Sequence, residues 1–236
     1  MSSIAVNIAI GIFTSIITGS LVWSWQRIKR LQQKGRHGAF FGLSAARACV
    51  IIIGQQMNNP FGVQRSDVRA LVEVASIAND GGVEFQIFQP DQFQGGIGSQ
   101  VEFCIGGPFS NHRAAGHMAT YLPGVSFTPY NRELPDSIAI VAGGSEFIRE
   151  PNLREYVILA RVFPNPSARP LFLIAGQTGV TNLAAAHFLR SRFEEMSRAH
   201  GVERAFCLVL RVERPDVYGH ESVHVASDVT EIAFGS

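Results

Sequence analysis

The chain has 236 residues, 46% of them hydrophobic, with 20 basic against 19 acidic side chains. That composition excludes a mostly disordered protein and leaves ample material for a sizeable core. Arg27, Lys29, Arg30, Lys34 and Arg36 are the first five charges, and without them 15 basic residues face 19 acidic ones, which excludes the dense cationic surface of a general nucleic-acid binder.

Residues Ile4 to Trp25, IAVNIAIGIFTSIITGSLVWSW, are 22 residues without a charge. As a helix they measure about 33 Å, enough for a hydrocarbon core of about 30 Å. Trp23 and Trp25 fall at the end of the run, where an interfacial aromatic belt belongs, and the basic residues follow directly. The pattern predicts a transmembrane anchor over 1–26, a basic juxtamembrane segment over 27–37 and a domain over 38–236 that the positive-inside rule places in the cytoplasm. The competing reading is a cleaved secretory signal. Its positive charge would precede the apolar run, and nothing charged precedes Arg27. The lipid bilayer is thus the first expected partner.

Beyond Gly38, short β-rich runs alternate with helical periodicity. Strands are predicted at 48–54, 83–89, 101–107, 137–143, 156–163, 170–176 and 204–212, several of them unbroken apolar runs that suit parallel strands covered on both faces. Only PNPSAR separates YVILARVF from PLFLIAG. That is too short for a helical crossover, so these two form an antiparallel hairpin and the sheet is mixed.

Helices are predicted at 66–80, 111–122 and 180–201. The first has Ser66 as N-cap, a capping role for Asp67, and Val68, Leu71, Val72 and Ala75 facing inward; the last is closed by Gly201. Stretches 58–64, 91–100 and 163–170 read as loops within one domain, and the tail adds an edge pair near Val223 and Val225. The expected fold class is α/β: a Rossmann-like three-layer domain with a mixed, mostly parallel sheet, preceded by one N-terminal transmembrane helix. Cys49, Cys104 and Cys207 are widely spaced within strand-like runs. They fit free core thiols in a reducing compartment, with Cys104 as a nucleophile the sharper alternative.

Strand, glycine loop, helix is the geometry in which backbone N–H groups and a helix N-terminus converge on an anion. CIGGPFSNHRAAG offers Gly106, Gly107, Ser110 and Asn111, and IAGQTGVTNLAAA offers Gly176, Gln177, Thr178 and Gly179. A third loop, IVAGGSEF, offers Gly143 and Gly144 and presents Glu146. In an open α/β sheet such loops face one crevice beyond the carboxyl ends of the strands. Glu146 and Asp67 are the acids nearest predicted strand ends and the candidate catalytic groups; His112 and His117 flank the first loop's helix without sharing a face.

The stretch AGQTGVTNLAAAHFL (175–189) resembles the strand-to-helix glycine motif of the SLOG superfamily, the Rossmann-like group that includes the LOG phosphoribohydrolases and DprA-like proteins. In that group a Gly-Gly-Gln-Thr-Gly type run cradles nucleotide phosphate. The resemblance covers about fifteen residues, with Ala175 in place of the first glycine and Thr181 and Asn182 where Asp-Arg is common. It implies only that Gly176 to Gly179 approach a ligand.

HESVH (220–224) matches the His-Glu-x-x-His pattern of zinc proteases, which needs a helix to bring its histidines together. Gly219 and the alternation of Val223 and Val225 favour a strand. There the two histidines would lie about 13 Å apart, too far for one ion. No metal or cofactor is expected. The leading expectation is a membrane-anchored cytoplasmic domain that binds or senses a small nucleotide-like or other phosphate-bearing ligand. The alternatives are an enzyme of the same fold cleaving a glycosidic bond in a nucleotide, and a membrane-anchored protein-interaction module.

Overall fold

The computed structural model describes residues 2–44, 46–56, 59, 62–129, 131, 133–134 and 137–235, and in the first helix the side chains of 18–29 and 31–41. The loop expected at 58–64 falls largely outside the described residues. One helix, α1 (Ser2–Phe41), runs unbroken through both boundaries expected at 26 and 37. Among the described residues no helix is long and apolar enough to cross a membrane, so the expected transmembrane span gains no support. Most of Ile4–Trp25 falls at 2–17, whose side chains lie outside the described set.

The domain begins in the last turn of α1, where Phe40 and Phe41 are fully buried beside Phe103, Phe172 and Phe206. There follow β1 (Ala48–Ile53), α2 (Arg65–Gly81), β2 (Glu84–Phe88), β3 (Val101–Ile105), α3 (His112–Tyr121), β4 (Val125–Phe127), β5 (Ala139–Ala142) and β6 (Ser145–Ile148). The chain continues through β7 (Arg154–Val162), β8 (Leu171–Gly176), α4 (Gly179–Ser191), α5 (Phe193–His200), β9 (Phe206–Glu213), β10 (Val223–Asp228) and α6 (Thr230–Phe234).

The seven-stranded sheet has the order β10-β9-β7-β8-β3-β1-β2. β2, β1, β3 and β8 are mutually parallel, β7 is antiparallel to β8 and β9, and β10 is antiparallel to β9. Five strands therefore share one direction, and the expected mixed, mostly parallel sheet is found, including the hairpin across 163–170. Its strands bury both faces because alternate residues feed two cores. Cys49, Ile51, Phe103 and Phe172 pack under α1, α2, α4 and α5, whereas Val50, Ile52, Cys104 and Leu173 pack under α3, α6 and a small second sheet. That sandwich of layers is the three-layer arrangement expected.

Four local expectations fail. The run at 137–143 is not a central strand: β5 pairs antiparallel with β4 and β6 in a separate three-stranded sheet. The long helix at 180–201 is two, α4 and α5, broken at Arg192. α2 starts at Arg65 with Gln64, not Ser66, at its N-cap. Its inward face carries Ala70, Val74, Ile77 and Ala78, with Leu71 and Ala75 packed against the core as expected but Val68 and Val72 exposed.

Candidate ligand-binding crevice

β1 sends its following helix to one face of the sheet and β3 sends its own to the other, so the chain parts at the carboxyl ends of adjacent strands. Open α/β sheets bind ligands at such a point. A crevice of about 70 Å³ opens here, lined by Gln64 and Asp67 of the α2 start, Gly107, Phe109 and Ser110 after β3, and Gly176 to Gly179 and Asn182 after β8. Phe127 and Ile138 of the second sheet's strands and approaches close its far wall.

The first two predicted glycine loops thus share one crevice. They also touch: a Cβ on Gly107 would stand 2.7 Å from the Gly176 carbonyl oxygen, so glycine is required there by contact with protein, not with ligand. Among the described residues the amides of Gly107, Gly179 and Val180 have no protein acceptor. At α4 this is the expected excess of donors at a helix N-terminus.

Several residues expected to meet a ligand hold the loops together. The Gln177 amide donates to the carbonyls of Ile138 (2.9 Å) and Phe147 (2.8 Å) and accepts from the Tyr156 N–H (2.8 Å), tying β5, β6 and β7 to the loop. Thr178 caps α4 in a reciprocal box with Thr181 and donates its hydroxyl to Glu155 at 2.6 Å. Asn111, fully buried, accepts from the Ala114 N–H at the start of α3 and donates to the carbonyls of Ile52 and Ile105. Ser110 donates to the Gly107 carbonyl at 3.2 Å. Gly106 sits behind the lining, its N–H bonded to Ile174.

Asp67 does not cap its own helix. Its carboxylate accepts from Asn182 Nδ2 at 2.8 Å, and Asn182 Oδ1 accepts from the Gly176 N–H at 2.7 Å, so an acid of α2 is chained through α4 to the end of β8. Burial raises the Asp67 pKa and the Asn182 bond partly offsets this. It is the one titratable side chain in the crevice lining.

The third loop is elsewhere. Gly143 and Gly144, with φ of 58° and 82°, make the tight β5–β6 turn, which packs on Ile232 of α6; Glu146 is exposed on β6. A two-residue turn with both φ positive matches strand twist and selects glycine without any ligand. Cys104 is completely buried and donates to Glu102 at 3.3 Å. Burial and the Glu102 charge push its thiol well above its ordinary value, which removes it as a nucleophile.

Sequence reasoning overlooked the group around Glu102, although an acid inside VEFCI was the signal. Glu102 Oε1 meets Arg113 Nε (2.6 Å) and His117 Nε2 (2.9 Å), and Oε2 meets Arg113 Nη2 (2.8 Å), the two partners lying four residues apart on α3. A hollow of about 440 Å³ flanks this group. Glu102 stands behind its lining, its charge already matched by Arg113.

Burial alone would raise Glu102, but the hydrogen bonds from Arg113 and His117 outweigh it and hold the carboxyl down at about 2. A depressed folded-state pKa contributes stability that is complete above the unfolded value near 4.5 and is lost as pH falls towards about 2. Urea unfolding at stepped pH should show a loss of order 3 kcal/mol across that window. In Glu102→Gln the acid-dependent part should vanish. Equal slopes in both proteins would mean that other carboxylates carry the acid response.

HESVH is not helical: His220 ends a turn and His224 stands exposed on β10. Comparison with protein-family models, with curated proteins and with solved structures gives no match to this chain.

Proposed function

We propose that the protein binds a small phosphate-bearing, nucleotide-like ligand in this crevice as a receptor or sensor, with α1 as its membrane anchor and the domain on the cytoplasmic side. The observation that carries the reading is the convergence of the loops after β3 and β8, with the amides of Gly107, Gly179 and Val180 left without protein acceptors beside the N-terminus of α4. A volume of about 70 Å³ suits one phosphate group and leaves the remainder of a ligand at the rim. There Phe109 and Phe127 present aromatic surface, their centroids 6.4 Å apart. Asp67 can accept from a hydroxyl, as carboxylates do from a ribose in dinucleotide sites. The local resemblance at 175–189 points the same way.

Binding is preferred to glycosidic cleavage because Glu146 is remote and Asp67 has no second acid or base beside it in the lining. The anchor rests on the charge-free run Ile4–Trp25 and the basic residues behind it. Full-length protein should stay with membranes through an alkaline wash. Its melting temperature should rise with nucleotides, and to a lesser degree with inorganic phosphate. Asp67→Asn keeps an acceptor for Asn182, so it should fold normally yet weaken nucleotide binding about tenfold, the worth of one hydrogen bond to a charged group. If neither nucleotides nor phosphate raise the melting temperature, the interaction-module reading replaces this one.

A further inference from the structure

Among the described residues the buried His187 Nδ1 lacks a hydrogen-bond partner, and it lies beside an ion pair between Glu73 Oε2 and Arg190 Nε. A buried ring nitrogen is seldom left so. Glu73 lies mid-way along α2, and His187 and Arg190 lie on the facing side of α4. The turn ahead of β10 brings His220 onto the same spot, its ring 5.1 Å from that of His187 and nearly perpendicular to it.

The His187 Nδ1 to Glu73 Oε1 separation is 3.6 Å, too long for a hydrogen bond. One ligand atom from each of Glu73, His187 and His220 lies within 4.8 Å of the others. A tetrahedral ion bound at about 2.1 Å spaces its donors about 3.4 Å apart, so small side-chain rotations close the set. We propose that Glu73, His187 and His220 form a zinc site, with water as the fourth ligand.

Two imidazoles and one carboxylate are a donor set that zinc accepts. Each imidazole binds metal in its neutral form, so uptake of the ion should weaken as pH falls. Arg190 Nε, 2.5 Å from Glu73 Oε2, occupies one carboxylate oxygen and leaves Oε1 to the ion, an outer contact that fixes the carboxylate's orientation. The other triad with metal-binding groups, Glu102, Cys104 and His117, differs: both Glu102 oxygens already hold Arg113, and the thiol stays protonated.

A bound ion would pin the turn before β10 to the α2–α4 pair. Both helices begin at the crevice, about 12 Å back along their axes from Glu73 and His187.

The test uses the full-length chain without a polyhistidine tag, stripped with chelator and then exposed to Zn²⁺. About one equivalent should remain after gel filtration, with a rise in melting temperature that chelator reverses. Co²⁺ should give the intense visible bands of a four-coordinate ion. His220→Ala and His187→Ala should each lose the ion while keeping the metal-free melting temperature, and His224→Ala should bind normally. Less than a tenth of an equivalent in the wild type, or undiminished binding in His220→Ala, overturns the site. Loss in His224→Ala equal to that in His220→Ala overturns it in favour of HESVH itself. None of these readouts involves nucleotide, so this site and the crevice stand or fall separately.

Discussion

Replacing Arg161 with leucine should destabilise the domain by about 3 to 5 kcal/mol, because three carbonyls lose their donors. Arg161 lies in β7, has no solvent exposure and, among the described residues, makes no ion pair with an acid. Its guanidinium donates to the Arg204 carbonyl from Nε (3.0 Å) and Nη2 (2.6 Å), to Gly201 from Nη2 (2.8 Å) and to Phe40 from Nη1 (3.0 Å). The rings of Phe40 and Phe206 flank it with centroids at 4.5 and 5.1 Å. Burial lowers its pKa to about 10, which leaves it charged at neutral pH.

One side chain thus clasps the end of α1, the end of α5 and the start of β9. Leucine would remove the cost of burying a charge but leave three carbonyls without donors, each worth about 1 to 3 kcal/mol if it stays dry. Lysine should not rescue the loss, because a single ammonium cannot reproduce the planar fork. Urea unfolding measures both variants. Wild-type stability in Arg161→Leu would show that these carbonyls find water at no cost.

Asn111→Ala should cost about 2 to 4 kcal/mol, well beyond the roughly 1 kcal/mol of a helix cap. The excess comes from Nδ2, which bonds Ile52 at 3.2 Å and Ile105 at 3.0 Å and so fastens the carboxyl ends of β1 and β3 to each other. Aspartate separates the two roles. It caps as well as asparagine but has no donor for those carbonyls. Asn111→Asp should therefore be no more stable than Asn111→Ala, and full recovery with aspartate would reduce the residue to a cap.

Much of the architecture was legible because a strand buried on both faces must be an apolar run, and ACVIII, VEFCI and PLFLIAG are such runs. The hairpin followed from the length of PNPSAR alone. The second sheet was not legible, since IAIVA has the same composition as a central strand and only its pairing partners distinguish it. Nor was the break at Arg192, where no glycine or proline interrupts HFLRSRFEEM. Of the residues read as inward on α2, Leu71 and Ala75 pack on the core but Val68 and Val72 do not, an error that comes from weighing residue type over neighbours such as Ala70 and Ala78.

At the crevice, residue types revealed that the two loops belong together but not what each polar side chain does. Gln177, Thr178 and Asn111 look like ligand contacts in sequence; in space their hydrogen-bonding groups are turned onto protein. Arg161 and Glu102 were visible throughout as charges inside strand-like runs. A charge within an apolar strand signals a buried polar centre, and the identity of its partners depends on chain segments up to 121 residues away.

The entry of α1 and the mouth of the crevice lie at opposite ends of the same strands. Phe40, Gly42 and Pro170 crowd the beginnings of β3 and β8, whereas the crevice lies past their finishes. β1, six residues long, crosses the intervening distance of about 20 Å. The crevice thus opens on the side of the domain away from where α1 enters it. An occupant as bulky as another macromolecule could therefore reach it without steric conflict with α1. Between the two ends run β1, β3 and β8, buried on both faces and clad on one side by α2 and α4.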